Sequence, residues 1–409
     1  MTEAAHKPVS RMRRNWQILA PLFLIVCIYS AGMASVLPIL PFYLRDMGAT
    51  PLIFGLVIAT EAFTQFVAAP TLGQLSDRFG RKRILLASQV MAAASLLLLA
   101  VAPNVLVVIV ARALFGLTGG NFSAVAGYVA DHTAPEDRRQ SLGILTGGVG
   151  LGGIAGAGLS GFLSGTSLTT PIFAALFLSV GAIGLTLFAL KRDQAVSSQS
   201  KAHQGEKTSF RAILFSPVIR ILVLVMLCHF LAYGIYSSQM PVFLAETFIW
   251  NGEVFGPQHL SYIVAADGAI NILVQLLFLG WLGRYFSERN LIILIFGLIC
   301  TGFLIASLAT TVPLLALAVL CVSTGDAMAK PTYLAALSVH VPGNRQGVVM
   351  GSAQSLGALT DVASPLIGGF ILGHKLYGLW IGLAVGVAAL GAVLAAAKLP
   401  STDPEKRNS

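Results

Sequence analysis

Long apolar runs alternate with short polar segments along the whole chain of 409 residues. Most of the runs reach about 20 residues, the length that an α-helix needs to cross a bilayer. The pattern predicts twelve membrane-spanning helices, with both ends of the chain on the same side. We place them at 16–41, 52–75, 84–102, 104–130, 140–164, 168–190, 216–244, 258–280, 289–309, 312–338, 346–372 and 376–397.

Composition narrows the class of protein. Hydrophobic residues make up 56% of the chain and charged residues only 11%, whereas a soluble domain carries about 25% charged residues. A soluble enzyme, a disordered chain and a secreted disulfide scaffold are therefore excluded. The four cysteines lie inside apolar runs without metal or disulfide spacing, and no cofactor or metal is indicated. The sequence predicts an all-α polytopic membrane protein whose solvent is the lipid bilayer.

The basic residues indicate the topology. If the N-terminus is cytoplasmic, 22 of the 26 Lys and Arg fall in cytoplasmic segments, as the positive-inside rule requires. We therefore expect a multi-pass protein of the cell (inner) membrane with both termini in the cytoplasm. The net charge of +9 does not indicate nucleic acid as a partner, because that would require a basic face on a soluble fold.

One polar stretch divides the chain in two. Residues 191–211 have the composition of a flexible linker. The predicted domains are an N-terminal six-helix bundle at 1–190, a cytoplasmic linker at 191–215, and a C-terminal six-helix bundle with a short tail at 216–409.

The two halves also repeat weakly. The segment that starts at Gly73 recurs from Gly280, offset by 207, and Arg139-Gln recurs as Arg345-Gln, offset by 206. Transporters built from two such repeats place the substrate site between them, near the middle of the bilayer. Two pseudo-symmetric halves can enclose a pathway, so a monomer suffices.

The segment Gly73-x-Leu-x-Asp77-Arg78-x-Gly80-Arg81-Lys-Arg between spans two and three resembles the signature loop of the major facilitator superfamily. Its surroundings resemble the tetracycline and multidrug proton-antiporter branch. Two further segments agree with that branch, namely Arg112-x-x-x-Gly-x-x-x-Gly in span four and Tyr-Val-Ala-Asp131 at its end.

Two departures from the branch concern spans five and one. The antiporter motif of span five lacks its proline, since the sequence reads Gly152-x-x-x-Gly156-Ala-Gly158-Leu-Ser-Gly161. Tyr29 stands where span one of tetracycline pumps has an acid.

The loop has a mechanical interpretation. Asp77 precedes a helix start, where a carboxylate can cap free N–H groups. The resemblance implies that Asp77 and Arg81 pair with Asp131 and that the pair acts as a latch on alternating access. The predicted latch residues are Gly73, Asp77, Arg78, Gly80, Arg81 and Asp131. The alternative is a plain positive-inside loop with a helix cap.

Four acids lie close to the midpoints of predicted spans, namely Glu61, Asp267, Asp326 and Asp361. A charge there costs at least about 2.5 kcal/mol, so such residues are functional by default. Glu61 and Arg112 lie at equal depth and can pair, and Asp326 and Lys330 are one helical turn apart.

This pairing leaves Asp267 and Asp361 uncompensated. Burial favours the protonated form of such a carboxyl, so we expect these two acids to be proton or cation sites, with Glu61 as a competitor. The alternative is that each acid only bonds a neighbouring helix.

Polar side chains at helical spacing accompany the acids and predict a water-accessible cavity. The cavity candidates are Gln65, His229, Tyr233, Tyr236, Asn271 and Gln354. His229 by itself is better explained as a hydrogen-bonded helix residue than as a proton carrier. The glycines Gly152, Gly156, Gly158 and Gly161 predict close helix packing, on a surface between the halves.

These observations predict a secondary active transporter that exports a small amphiphilic or cationic compound in exchange for protons. An ATP-driven pump is disfavoured because the chain has no phosphate-loop motif. Two alternatives stay open: transport of a metabolite, sugar or metal chelator, in either direction, and an intramembrane enzyme or receptor. No nucleophile motif of an enzyme occurs in the sequence.

Overall fold

The computed structural model describes residues 8–119, 124–125, 127–129, 138–190, 217–341 and 346–400. Helices dominate it, because an apolar backbone segment in lipid must satisfy its own N–H and C=O groups. Seven helices whose bounds fall within the described residues precede the predicted linker: α1 (Pro8–Val36), α2 (Leu40–Asp46), α3 (Pro51–Phe79), α4 (Arg81–Ala100), α5 (Val105–Gly116), α6 (Arg138–Leu163) and α7 (Thr170–Ala189).

The elements after the linker are also mostly helices. They are α8 (Pro217–Thr247), the strands β1 (Ile249–Trp250) and β2 (Glu253–Val254), α9 (Pro257–Leu273), a π-helical turn (Val274–Phe278), α10 (Leu279–Tyr285), α11 (Glu288–Leu308), α12 (Val312–His340), α13 (Gln346–Gly373) and α14 (Tyr377–Lys398).

Within the described residues, eleven helical segments are long and apolar enough to cross a membrane. The predicted fourth span contains the shorter apolar helix α5, and only part of its second half is described. The prediction of a multi-pass helical membrane protein is confirmed. The large apolar side chains on the outside agree with it, since Phe162 is 84% exposed and Phe188 is 92% exposed, which suits lipid.

The short β-hairpin between α8 and α9 departs from the all-α expectation. Ile249 pairs with Val254, and Trp250 with Glu253, in antiparallel register. The two turn residues, Asn251 and Gly252, both have positive φ, 50° and 94°, as the favoured two-residue hairpin turns require.

Contacts divide the chain into two compact units. Unit 1 comprises Met1–Leu40 and Thr64–Ser197, and unit 2 comprises Pro41–Phe63 and Ser198–Ser409, as far as these ranges are described. The first half of α3 thus groups with the C-terminal helices, which differs from our predicted domains at residues 41–63. The predicted domain boundaries otherwise stay a prediction.

Each unit has its own apolar core. In unit 1, the buried side chains include Leu22, Ile25, Leu85 and Leu145 from helices α1, α4 and α6. In unit 2, they include Phe296, Phe303, Tyr333 and Trp380 from helices α11, α12 and α14.

Helix α6 packs closely against α1 inside unit 1. A Cβ atom at Gly152 would collide with the carbonyl oxygen of Cys27, and one at Gly156 with that of Ala31. Gly158 has no neighbour within 4 Å of such an atom. The packing role of Gly152 and Gly156 is therefore as predicted, but it joins two helices of one unit and not the two halves. Gly161 is buried.

We expect Gly156→Ala to destabilise unit 1, because the added methyl group forces α6 away from the Ala31 backbone. Overpacking of this kind costs about 1–3 kcal/mol. Thermal unfolding in detergent measures the effect. Gly158→Ala is the matched control and should be neutral or slightly stabilising, so equal behaviour of the two variants would contradict this packing.

A basic side chain at the start of one helix caps the end of another helix in each unit. Lys82, in the first turn of α4, donates to the carbonyl oxygens of Leu187 (2.8 Å) and Leu190 at the end of α7. Arg289, in the first turn of α11, donates to Ala396 near the end of α14. Lys82 and Arg289 are 207 positions apart, the offset of the sequence repeat, so the repeat preserves a capping interaction.

We expect Lys82→Met and Arg289→Met each to lower stability by about 1 kcal/mol, since the last carbonyls of a helix then lose a cationic donor. Unfolding midpoints in detergent at low and high salt measure it. Lys82→Arg and Arg289→Lys keep the charge and should retain most of the stability. A loss that is as large in these conservative variants would argue against capping.

Candidate functional site

The centre of the candidate site is a hydrogen bond between two helices of unit 2. His229 on α8 and Asp326 on α12 approach to 3.3 Å between Nε2 and Oδ1. The histidine side chain is 0% exposed and the aspartate side chain 25% exposed. Our prediction that Asp326 pairs with Lys330 on its own helix is therefore wrong: the partner comes from a neighbouring helix.

Aromatic rings enclose His229. Tyr233, one turn further along α8, stacks parallel to the imidazole with ring centroids 6.2 Å apart. Phe230, Phe296 and Tyr333 meet it edge-on at 5.4, 6.0 and 5.5 Å. These rings enclose the imidazole and restrict its orientation.

A second hydrogen bond holds Asp267. Ser323 on α12 donates to Oδ1 of Asp267 on α9 at 2.5 Å, and Asp267 and Asp326 repel each other electrostatically. Ser323 and Asp326 are three residues apart on α12, so one face of this helix carries Asp326 and also bonds Asp267.

Below Asp267, the predicted polar stripe of this span continues. Gln275 donates to Asn271 at 2.6 Å, and Gln275 lies in the π-helical turn that follows α9. Asn271 is partly buried, and it stays a cavity candidate.

The third acid, Asp361 on α13, interacts with charges on α12. It is attracted by Lys330 and repelled by Asp326, and both Asp361 and Lys330 are exposed at the protein surface. We had expected Asp361 to have no compensating charge, but Lys330 compensates it. The lysine that we assigned to Asp326 by sequence spacing acts on Asp361, because the side chain of Asp326 turns to His229.

Two of the predicted cavity residues of unit 2 differ in accessibility. Tyr236 is buried, with its ring stacked between Phe303 at 4.3 Å and Trp380 at 5.8 Å. A ring sealed in this way contributes to the core, so its assignment to a cavity is wrong for this structure. Gln354 on α13 is exposed.

The candidates of unit 1 are fewer. Arg112 on α5 is buried, with its guanidinium 5.3 Å from the Phe115 ring. Gln65 on α3 packs against Gly119. Glu61 is partly buried and belongs to unit 2, whereas Arg112 belongs to unit 1, so the pairing of Glu61 with Arg112 stays a prediction.

The predicted latch is only partly described. Helix α3 extends to Phe79, and the residue that precedes α4 is Gly80 at φ 96°, a conformation that favours glycine. Asp77 therefore lies in the last turn of α3, and its predicted role as a helix cap stays a prediction. The Asp77 side chain and Asp131 lie outside the described residues.

The basic part of the latch is visible. Arg81 donates to Ser76 at 3.4 Å, and its guanidinium lies so close to Gly127 that a Cβ there would be 2.6 Å from Cζ. Gly127 is four residues before Asp131, so Arg81 lies near the part of span four that precedes its proposed partner. Gly73 has open space around it, and Arg78 lies over the Phe79 ring.

Sequence reasoning missed Tyr333 and Gln239. Tyr333 follows Asp326 by seven residues, so the helical period of α12 places both on one face. Gln239 continues the α8 stripe three residues after Tyr236, and its amide donates to the carbonyl of Pro365 at 3.3 Å. Both could have been found by continuing the helical spacing of the polar residues further along α12 and α8.

The features described so far define a class of protein. Ionisable side chains face one another between helices that cross a membrane, and in such a setting they mark substrate or proton pathways. Within the described residues, no group of three or more His, Cys, Asp or Glu could hold a metal ion. These are the features of a membrane transporter.

Comparison with known proteins identifies the family. The profile of the Major Facilitator Superfamily matches residues 22–365. The chain belongs to this superfamily, as its motifs predicted, and it is a transporter and not an enzyme. The predicted branch is also confirmed, because curated relatives of the chain are tetracycline and multidrug resistance proteins.

Three relatives show how far the similarity extends. Tetracycline resistance protein, class G, of Vibrio anguillarum is 31% identical over 84% of this chain and 87% of its own length. The class C protein of Escherichia coli is 29% identical over 84% and 86%. Quinolone resistance protein NorA of Staphylococcus aureus is 27% identical over 93% and 96%.

Solved structures share the fold at lower identity. The nucleoside transporter NupG matches with a TM-score of 0.74 and 16% identity over 94% of this chain and 98% of its own. The human organic anion transporter MFSD10 matches with a TM-score of 0.66 and 19% identity over 93% and 99%.

We expect Ser323→Ala to destabilise unit 2 by about 1–3 kcal/mol, because the partly buried carboxylate of Asp267 loses its hydrogen-bond donor while its repulsion by Asp326 persists. Ser323→Thr keeps the hydroxyl group and should be close to wild type. Thermal unfolding in detergent measures both. Ser355→Ala is the matched control, since Ser355 bonds only its own helix at Gly351; a loss no larger than in this control would contradict the assigned role.

Proposed function

We propose that this protein is a secondary active transporter that exports a small amphiphilic or cationic compound in exchange for protons, by alternating access. The observation that carries the proposal is the group of three carboxylates, Asp267, Asp326 and Asp361, on neighbouring helices of unit 2. Lys330 on α12 attracts one of them, Asp361.

The charge balance of the group supports a cationic substrate. Three carboxylates and one ammonium leave a negative excess inside the membrane domain if all of them are ionised and His229 is neutral. Such an excess is costly in a low dielectric, and either protons or a cationic substrate can remove it. If protons and the cationic substrate can each neutralise the site but cannot occupy it at the same time, the site exchanges protons for substrate.

Asp267 and Asp361 are the proposed proton sites. Protonation of Asp361 removes its attraction to Lys330, and protonation of Asp267 removes its repulsion by Asp326. Each event changes the forces between two helices, so proton loading can shift the balance between the two states of the transporter. Glu61, near the middle of α3, is the competing site, and it has Arg112 as its proposed partner.

The names of the relatives favour drugs as substrates. They are tetracycline, quinolone and multidrug resistance proteins, and export is the function that resistance implies. We extend to this chain only the class, an amphiphilic drug-like compound. Tyr233, Asn271, Gln354 and Gln65 are the proposed cavity residues.

The remaining assignments complete the proposal. The protein lies in the inner membrane with both termini in the cytoplasm, works as a monomer, and has two six-helix domains at 1–190 and 216–409. The loop from Gly73 to Arg81 latches the end of span four through Asp131 in one of the two states. Nucleic acid has no part in this function.

The proposal is tested in everted membrane vesicles with an imposed proton gradient and a panel of cationic dyes and tetracyclines. Wild type should accumulate at least one of the compounds. We expect Asp267→Asn and Asp361→Asn each to lower the gradient-driven rate at least ~10-fold, as for an interaction of about 1.4 kcal/mol lost from the rate-limiting state.

The control is Glu253→Gln, an acid of the β-hairpin that is 80% exposed, which should transport normally. If both intramembrane variants matched wild type, the coupling would pass to Glu61. If wild type moved no compound of the panel, transport of a metabolite or chelator would become the better proposal.

A further inference from the structure

One atom of the candidate site is sealed. Nδ1 of His229 is inaccessible and has no hydrogen-bond partner within the part of the chain that the structure describes, and Phe230, Phe296 and Tyr333 surround the ring. The other ring nitrogen, Nε2, faces the carboxylate of Asp326 at 3.3 Å. The two nitrogens of this histidine thus have opposite surroundings.

This asymmetry selects one form of the imidazole. A carboxylate only accepts, so the neutral ring carries its proton on Nε2 and donates it to Asp326. The imidazolium form would need a second N–H at Nδ1, where it would be a buried donor without an acceptor. Such an unpaired donor is costly in a low-dielectric interior.

The charged groups around the pair do not change this selection. They are Asp267 on α9, Lys330 on α12 and Asp361 on α13, with the phenols of Tyr233 and Tyr333 beside them. Asp267 and Asp361 both interact electrostatically with Asp326, the partner of Nε2. None of them is a hydrogen-bond acceptor for Nδ1.

We infer that His229 is a positioning residue that stays neutral with its proton on Nε2, and that it holds Asp326 as the permanently charged acid of the cluster. A fixed donor that is shielded from water stabilises the charge on Asp326 and fixes the direction of its carboxylate. Its 25% exposed side chain then offers a constant anionic anchor for the cationic group of the substrate. Asp267 and Asp361 are left to exchange protons, so this inference rests on the proposed function.

The arrangement separates two tasks that a single carboxylate cannot combine. An acid that must release a proton in one state cannot also hold a cation in that state without competition. In the inferred division of labour, Asp326 with its sealed donor binds the cation, and Asp267 and Asp361 exchange the protons.

The test replaces His229 by residues that separate donation from titration. His229→Gln places an amide N–H near the position of Nε2 but cannot carry a proton, whereas His229→Leu removes the donor. If His229 is a neutral donor, His229→Gln should keep the gradient-driven rate within a few-fold of wild type and keep its pH profile. His229→Leu should lower the rate about tenfold, as for the loss of one hydrogen bond to a charged group.

The opposite result is as clear. If His229 carries a proton, His229→Gln should lose coupling as completely as His229→Leu, and the pH profile of its transport rate should differ from that of wild type. That outcome would overturn the inference. His374→Gln is the matched control, because His374 bonds only its own helix at Phe370, and its profile should equal that of wild type.

A spectroscopic measurement makes the inference independent of transport. Infrared difference spectra of wild type against Asp326→Asn, at neutral pH in detergent, report whether Asp326 is a carboxylate or a protonated carboxyl. We expect only the carboxylate bands in wild type and His229→Gln, and the band of a protonated carboxyl in His229→Leu. A protonated Asp326 in wild type would contradict the inference even if the vesicles transport. If the spectra show an ionised Asp326 but the vesicles do not transport, only the proposed function is contradicted.

Discussion

A charge inside a bilayer must find a partner in the protein, and the arrangement of unit 2 depends on this constraint. Asp326 finds it in His229, Asp267 in Ser323, and Asp361 in Lys330. Each of these pairs joins two different helices. The pairs therefore do more than neutralise charge: they determine which faces of α8, α9, α12 and α13 meet, and any change in protonation acts on helix packing.

The same constraint explains how the helix ends are treated. The last carbonyls of a helix have no partner within it, and at the edge of a membrane domain water is only partly available. Lys82 and Arg289 supply donors at equivalent positions of the two repeats. Two of the basic residues on which the predicted topology rests thus also cap helix ends.

Close packing imposes a second, weaker constraint. Without a hydrophobic force between helices in lipid, association depends on contact area, and glycines allow backbones to approach. Gly152 and Gly156 bring α6 onto the backbone of α1, while Gly158 on the same helix has no such neighbour. A run of glycines therefore identifies a helix that packs closely. It does not show which of the glycines make the contact or which helix they contact, because both depend on the position of the neighbouring helix.

The sequence by itself determined the class, the multi-pass helical architecture, the family and the list of acids. These follow from hydropathy, charge and local motifs, which are properties of short segments. Only the tertiary structure decided the partners. Spacing along α12 joined Asp326 to Lys330, and the fold joined Asp326 to His229 on α8, 97 residues away along the chain. It also placed Tyr236 in the core and Gly80, not Asp77, before α4. The physical reason is that a periodic sequence shows which residues share a helix face, whereas the packing of several helices decides what that face meets.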